Sequence, residues 1–392
     1  MNVLFLSHFM QKNQITLSHA SITLSLLILA MFLISILSLR KKAPEKALQE
    51  SMAANHFSFS TSNTLRGAAV IVLIIGHLSV KDIKGFTPYE YAGQWAVTVF
   101  LFVSGIVLTK RYGLKHLDKN FWIKRIERLI FPVWITFILF YFLDFLLVNR
   151  VYSPFKIILS FFGLTTHGPP NGPAWYISYI LFFYATFFIF SFLKINDLAK
   201  SLLILFISYC STYCIKFFHL GILALWLRYT TIFPVSVLIG IYLEKIWNVL
   251  EAFYNFSKTL YFLSIAGLFM LHYKYPLISA IVGEKLFPSY IRTLIISFRP
   301  LYLIICVAMV SFFLDSLKRE SRFLQFFGDY SFEIYLIHLP FLEYYDFFLF
   351  RKPFILFFFI YLIFILLLSY LLKTVSTNLN RRIFRPVFYS RT

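Results

Sequence analysis

The chain has 392 residues, 59% of them hydrophobic and 14% charged, with 37 Lys and Arg against 17 Asp and Glu for a net charge of +20. Soluble domains carry about 25% charged residues, so the composition excludes an ordinary soluble enzyme and describes an all-α polytopic membrane protein. The positive balance fits the Lys- and Arg-rich loops on the cytoplasmic side of a membrane and calls for no nucleic acid. Cys210, Cys214 and Cys306 lie in or beside apolar segments, which suits neither a disulfide framework nor a metal site.

In chain order, residues 1–19 are polar, and the apolar run 22–39 ends on Arg40, Lys41 and Lys42. Positive charge after the apolar core, not before it, marks an uncleaved span with its N-terminus outside. Residues 43–63 read as a linker. The next span, 64–80, is TLRGAAVIVLIIGHLSV, with Arg66 at its mouth and His77 deep inside. Eleven helical steps return to within about 20° of the starting azimuth and advance roughly 16 Å, about half a hydrocarbon core. The two side chains therefore share a stripe. Either a ligand enters at Arg66 and reacts near His77, or the arginine snorkels and the histidine is satisfied by a neighbouring helix.

A span over 95–108 leads into the densest basic loop, 110–128, which contains Lys124, Arg125 and Arg128. At i, i+3 on a helix, Arg125 and Arg128 share a face and can clamp one phosphate; anionic lipid headgroups are the competing explanation. Span 129–148 follows, then a loop 149–173 whose apolar piece 157–164 is too short to cross. Prolines and glycines in HGPPNGPAW forbid a helix until Trp175, an interfacial aromatic. Further spans cover 175–193, 201–217, 231–243, 260–272, 294–314, 328–345 and 354–372, and Pro276, Pro288 and Pro300 break up 273–300. In the tenth of the eleven spans, Ser331, Tyr335 and His338 fall at i, i+4, i+7, one polar face in an apolar helix. Such a face either pairs with other helices or lines a wet cavity. Glu333 lies off it.

The expected architecture is thus about ten transmembrane helices at 63–373, preceded by one extra N-terminal helix and linker at 1–62. A basic cytoplasmic tail follows at 374–392. Loops placed inside carry the larger share of the 37 Lys and Arg, as a cytoplasmic C-terminus and a plasma (bacterial inner) membrane location require. No Walker loop, G-x-S-x-G elbow, H-E-x-x-H or Cys/His metal spacing occurs.

Four motifs carry a resemblance: Leu65-Arg66-Gly67 with His77 ten residues beyond it, GQWAVTVFLFVSG at 93–105, KRIER ending at Arg128 before Pro132, and SFEIYLIH from Ser331 to His338. In this order they resemble the acyltransferase-three family of integral membrane acyltransferases, whose members commonly modify surface or secreted glycans. The resemblance implies that His77 is catalytic and that Arg66, Arg125 and Arg128 hold an acyl-CoA donor. That donor is a substrate, acetyl-CoA above all, so no permanently bound cofactor is implied. Ser331, Tyr335, His338 and Trp175 then orient the reacting groups or the acceptor, a glycan or lipid-linked sugar. Relatives acting on sugars often have Trp-x-x-x-x-Glu, but Trp175 is followed at that spacing by Ile180; the departure bears on the acceptor, not the reaction.

The rival reading is a transporter or flippase of a lipid-linked sugar, which would share the helix count and a midplane polar site. No internal hydropathy repeat supports it. A glycan polymerase would concentrate basic residues in large outside loops, and a scaffold has no use for a shared Arg66–His77 stripe. The topology is open to direct test. Cysteines introduced in 110–128 should resist an impermeant thiol reagent in intact cells, and those in 149–173 should react; labelling of 110–128 from outside overturns the orientation.

Overall fold

A computed structural model describes residues 20–41, 56–80, 92–164, 170–218, 226–273, 298–317, 319–345, 347, 349 and 353–389. Most of the expected linker, the proline-broken stretch and residues 1–19 lie outside the described residues. Helix α1 (Ala20–Leu37) leads into strand β1 (Leu39–Lys41). Then come α2 (Phe59–Val80), α3 (Ala92–Tyr112), α4 (Lys119–Arg125) and α5 (Phe131–Leu143). A π turn at Ile126–Ile130 fuses α4 to α5, and another at Asp144–Val148 ends α5. The next helices are α6 (Pro154–Phe161), α7 (Trp175–Ser191), α8 (Asp197–Phe217), α9 (Ile232–Ile241), α10 (Leu243–Phe256) and α11 (Lys258–Tyr273). Last come α12 (Arg299–Ser316), β2 (Arg319–Ser321), α13 (Arg322–Asp329), α14 (Ser331–Glu343) and α15 (Phe354–Tyr389).

Among the described residues, seven spans are long and apolar enough to cross a membrane, or up to eight if α9 and α10, bent by 89°, form one. This is a multi-pass helical membrane protein. A helix stands at each of the eleven expected places, but two of them, α9 and α14, are too short to cross alone. The apolar stretches described in α1 and α11 are Leu26–Leu37 and Lys258–Leu271. The tenth expected span is broken at Tyr330, leaving α14 with 13 residues. Helix α9 has 10 residues, because the amphipathic LEKIWNVLEAFYNF of α10 turns away instead of continuing the apolar run.

One end of the bundle collects Arg66, Arg128 and the polar end of α15, and is called the basic end below. There α2 begins earlier than its apolar run suggests, because Ser58 Oγ caps it, accepting from Thr61 N at 3.1 Å, and Asp315 holds that cap in place. The Asp315 carboxylate accepts from Phe57 N at 2.6 Å, Ser58 N at 3.0 Å and Thr61 Oγ1 at 2.8 Å. Of these, Ser58 N is a backbone donor that a helix start leaves unpaired. Helix α13 then lies along α2 through a polar lattice. Asn63 Nδ2 donates to Gln325 Oε1 (2.7 Å) and Asp329 Oδ1 (2.8 Å), and Gln325 Nε2 donates to Thr64 Oγ1 (2.8 Å).

Two glycines permit that approach. A Cβ on Gly67 would collide with the Leu324 carbonyl, and one on Gly328 with the Asn63 carbonyl. Backbone cannot rotate out of the way as a flexible side chain can. Gly67→Ala should therefore separate α2 from α13 and lower thermal stability in detergent by about 1–3 kcal/mol. Gly267→Ala, where a Cβ meets nothing within 4 Å, is the matched control and should leave the transition unchanged; equal behaviour of the two variants would refute the contact.

Candidate active site

Two histidines from distant parts of the chain meet inside the bundle. His77 Nδ1 lies 2.7 Å from His338 Nε2. The ring planes are 9° apart and the centroids 5.0 Å. Stacked rings could not bring two nitrogens that close, so the imidazoles meet edge to edge, as an in-plane N–H···N bond requires. His338 is fully buried, and its Nδ1 faces the carbonyls of Ile334 (2.9 Å) and Tyr335 (3.0 Å). A carbonyl only accepts, so the hydrogen-bond partners assign the proton of His338 to Nδ1 and make Nε2 an acceptor. With both rings neutral, His77 donates through Nδ1, and its lone pair resides on Nε2.

A proline helps to fix this geometry. Pro340 lies inside α14 and has no N–H for the Leu336 carbonyl one turn back. Asn171 Nδ2 takes that carbonyl at 3.0 Å, from the turn that precedes α7. Tyr361 of α15 donates its hydroxyl to the His338 carbonyl at 2.8 Å. Neighbouring elements therefore grip α14 on both sides of His338.

Towards the basic end lies a cavity of about 570 Å³. Its walls carry four cations, Arg66, Arg128, Lys373 and Arg381, with the acids Glu127, Asp329 and Glu333. Its deep wall is aromatic, made by Phe100, Tyr176 and Tyr335. Ring centroids there are 6.4 Å apart for Phe100 and Tyr176, 6.3 Å for Phe100 and Tyr335, and 5.5 Å for Tyr176 and Tyr335. Tyr335 also lies 6.3 Å from His338, ring to ring. One layer of rings thus separates the cavity from the histidine pair.

The expected site residues divide in an informative way. Arg66, Arg128, Ser331 and Tyr335 line the cavity, and Glu333, off their stripe, reaches it too. Ser331 donates to Gly328 O at 2.8 Å, and Tyr335 donates to Pro173 O. His77 and His338 pair beyond the deep wall. Trp175 does not line the cavity: its ring stacks on Tyr229 at 5.7 Å, next to Tyr176 of the deep wall at 6.2 Å. Arg125 does not join Arg128: its guanidinium lies over Phe121, Tyr184 and Tyr112 at 4.5, 5.2 and 5.3 Å. The π turn explains the split, since a wider turn rotates less per residue than an α-helix and spreads an i, i+3 pair apart.

Sequence reasoning missed Lys373, Arg381, Phe100 and Tyr176. The first two had a signal in the polar spacing that continues past the apolar end of the last span. Phe100 lay within the quoted 93–105 motif but did not stand out as a site residue, nor did Tyr176, in a chain with 50 Phe and 25 Tyr.

A family model described as an acyltransferase domain matches residues 60–374. Comparison with curated proteins and with solved structures returned no match.

The two arginines of the basic box should respond differently to substitution. Arg125→Ala removes a cation packed on three rings and should cost about 1 kcal/mol of thermal stability. Arg128 is exposed and packs on no ring among the described residues, so Arg128→Ala should leave the unfolding transition in place. A larger loss for Arg128→Ala than for Arg125→Ala would contradict the assignment.

Proposed function

Since the chain belongs to the acyltransferase-three family of membrane acyltransferases, we propose that it moves an acyl group from cytoplasmic acyl-CoA, acetyl-CoA above all, to a hydroxyl of a cell-surface or lipid-linked glycan. The observation that carries this reading is the His77–His338 bond beside a cavity walled by cations. In this reading the basic end faces the cytoplasm, where acyl-CoA is found, and the membrane is the plasma membrane. The donor's phosphates lie among the cations and its thin pantetheine arm runs along α2. The thioester passes the Phe100, Tyr176 and Tyr335 rings to reach His77.

The chemistry then follows from the tautomers. The acceptor's O–H proton goes to His77 Nε2, and the alkoxide oxygen attacks the thioester carbonyl. The C–S bond breaks, and the departing CoA thiolate takes the proton from His77 Nε2, which restores the neutral base. His338 accepts from His77 Nδ1 throughout and steadies the imidazolium formed in the transition state, and Ile334 O anchors His338 in turn. An acyl-imidazole relay would use the same nitrogen. The transporter reading has no comparable support, because a flippase needs no imidazole with a directed lone pair.

Substitution of the pair tests the reading. His77→Ala and His77→Gln should each lower acyl transfer by about 10²–10⁴-fold, because neither side chain accepts a proton near neutral pH. His338→Gln should lose less than His338→Ala, since the Gln oxygen can still accept from His77 Nδ1. The readout is acyl mass on surface glycans of cells expressing equal amounts of each variant. Substantial activity in His77→Gln would remove His77 from the centre of the mechanism.

A further inference from the structure

Helix α15 has 36 residues and does not stop where its apolar run does. From Lys373 onward the sequence is KTVSTNLNRR, yet the backbone remains helical to Tyr389. An unsupported polar helix is marginal in water, so this extension needs contacts along a face. That face is Lys373, Ser376, Thr377, Asn380 and Arg381, spaced i, i+3, i+4, i+7, i+8, and all five line the cavity. Asn380 Nδ2 donates to Glu127 O at 2.9 Å, which pins the extension to the π turn that carries Arg128. The polar end of α15 is therefore a wall of the cavity.

The cations on that wall stand at two levels. Lys373 Nζ donates to Asp329 O at 2.5 Å and lies 4.5 Å over the Tyr330 ring. Arg381 is eight residues further on, roughly 12 Å along the helix axis. Among the described residues, Arg66, Arg128 and Arg381 make no hydrogen bond or ion pair. Three guanidinium groups facing one cavity repel each other unless an anion lies between them. Between the two levels Ser376 and Thr377 offer neutral hydrogen-bonding groups.

We propose that the polar extension of α15 is half of the donor's headgroup site, and that Arg381 binds the phosphomonoester on the ribose of a 3′-phosphorylated nucleotide. The inference rests on the acyl-CoA reading and goes beyond it to the recognition of one phosphate. Cations at separated levels match a ligand whose diphosphate and phosphomonoester lie on different sides of one sugar. A donor with a single phosphate, such as an acyl phosphate or a carrier-bound phosphopantetheine, leaves Arg381 without a partner. Guanidinium is suited to the task because its fork makes paired hydrogen bonds to phosphate oxygens.

The test compares CoA with 3′-dephospho-CoA, which lacks only that phosphate, on the full-length protein in nanodiscs. Arg381 is exposed, so its replacement leaves the fold intact. Arg381→Ala should weaken CoA binding at least about tenfold, the scale of one charge-assisted contact, and leave dephospho-CoA binding unchanged. Arg381→Lys should restore part of the difference. Arg382→Ala removes an adjacent cation that does not line the cavity and should change neither affinity. Equal loss for both ligands in Arg381→Ala, no loss for either, or the same pattern in Arg382→Ala overturns the proposal while acyl-CoA remains the donor. Absence of CoA binding in the unmodified protein removes the donor reading and this inference together.

Discussion

An imidazole that is wholly buried among apolar helices must find partners for two ring nitrogens, and His338 finds them in different ways. Its Nδ1 is committed to the carbonyls of its own helix, so its Nε2 has only an acceptor's role to play. That commitment passes outward through the shared bond and sets which nitrogen of His77 has the lone pair. The direction of a proton at His77 is thus decided by a backbone carbonyl of α14, two rings away. Much else in the fold serves to keep α14 in place: Pro340 bars the usual donor, Asn171 replaces it, and Tyr361 donates to the His338 carbonyl. Loss of alignment in this chain would leave a buried polar group unpaired, at a cost of about 1–3 kcal/mol.

The basic end solves the opposite problem. There the difficulty is an excess of charge, with Arg66, Arg128, Lys373 and Arg381 around one cavity and fewer acids to balance them. The aromatic wall of Phe100, Tyr176 and Tyr335 separates this charged space from the histidine pair. Rings give a path that a slender, uncharged arm can follow and a hydrated phosphate cannot, because desolvating the charge is expensive. On the acyl-CoA reading, the division places charge recognition and proton transfer in separate compartments. The shared stripe of Arg66 and His77 on α2 runs between them.

Legibility in the sequence followed regular periodicity. Arg66, His77, Ser331, Tyr335 and His338 lie on unbroken α-helix, so counting residues was enough to place them on common faces. What counting could not show was that the two histidine stripes face each other, because only packing of α14 against α2 brings them together. Arg125 and Arg128 were paired by a period that the π turn interrupts, and nothing in KRIER announces such a turn. The helical face beyond residue 372 was left unread for another reason. Polar composition past an apolar run suggests the end of a helix, although Lys373, Ser376, Thr377, Asn380 and Arg381 keep a helical spacing. Helix number was harder than helix place, since hydropathy marks apolar length and not the breaks at Tyr330 and Tyr242.

The segment before the matched domain also takes part in the fold. Strand β1 follows α1 and pairs antiparallel with β2, Arg40 opposite Glu320. The buried Glu320 carboxylate accepts from Arg40 Nε at 2.8 Å and from Ser60 Oγ at 2.5 Å. One carboxylate therefore joins the N-terminal segment, the strand before α13 and the first turn of α2. Arg40 is half exposed, so its ion pair is screened and contributes little by itself. The geometry matters more than the charge. Helices α2 and α13 define the mouth beside Arg66, and a short ribbon across their ends limits how far they can splay. The N-terminal segment thus acts on the cavity by holding its rim, and none of its described residues lines the walls.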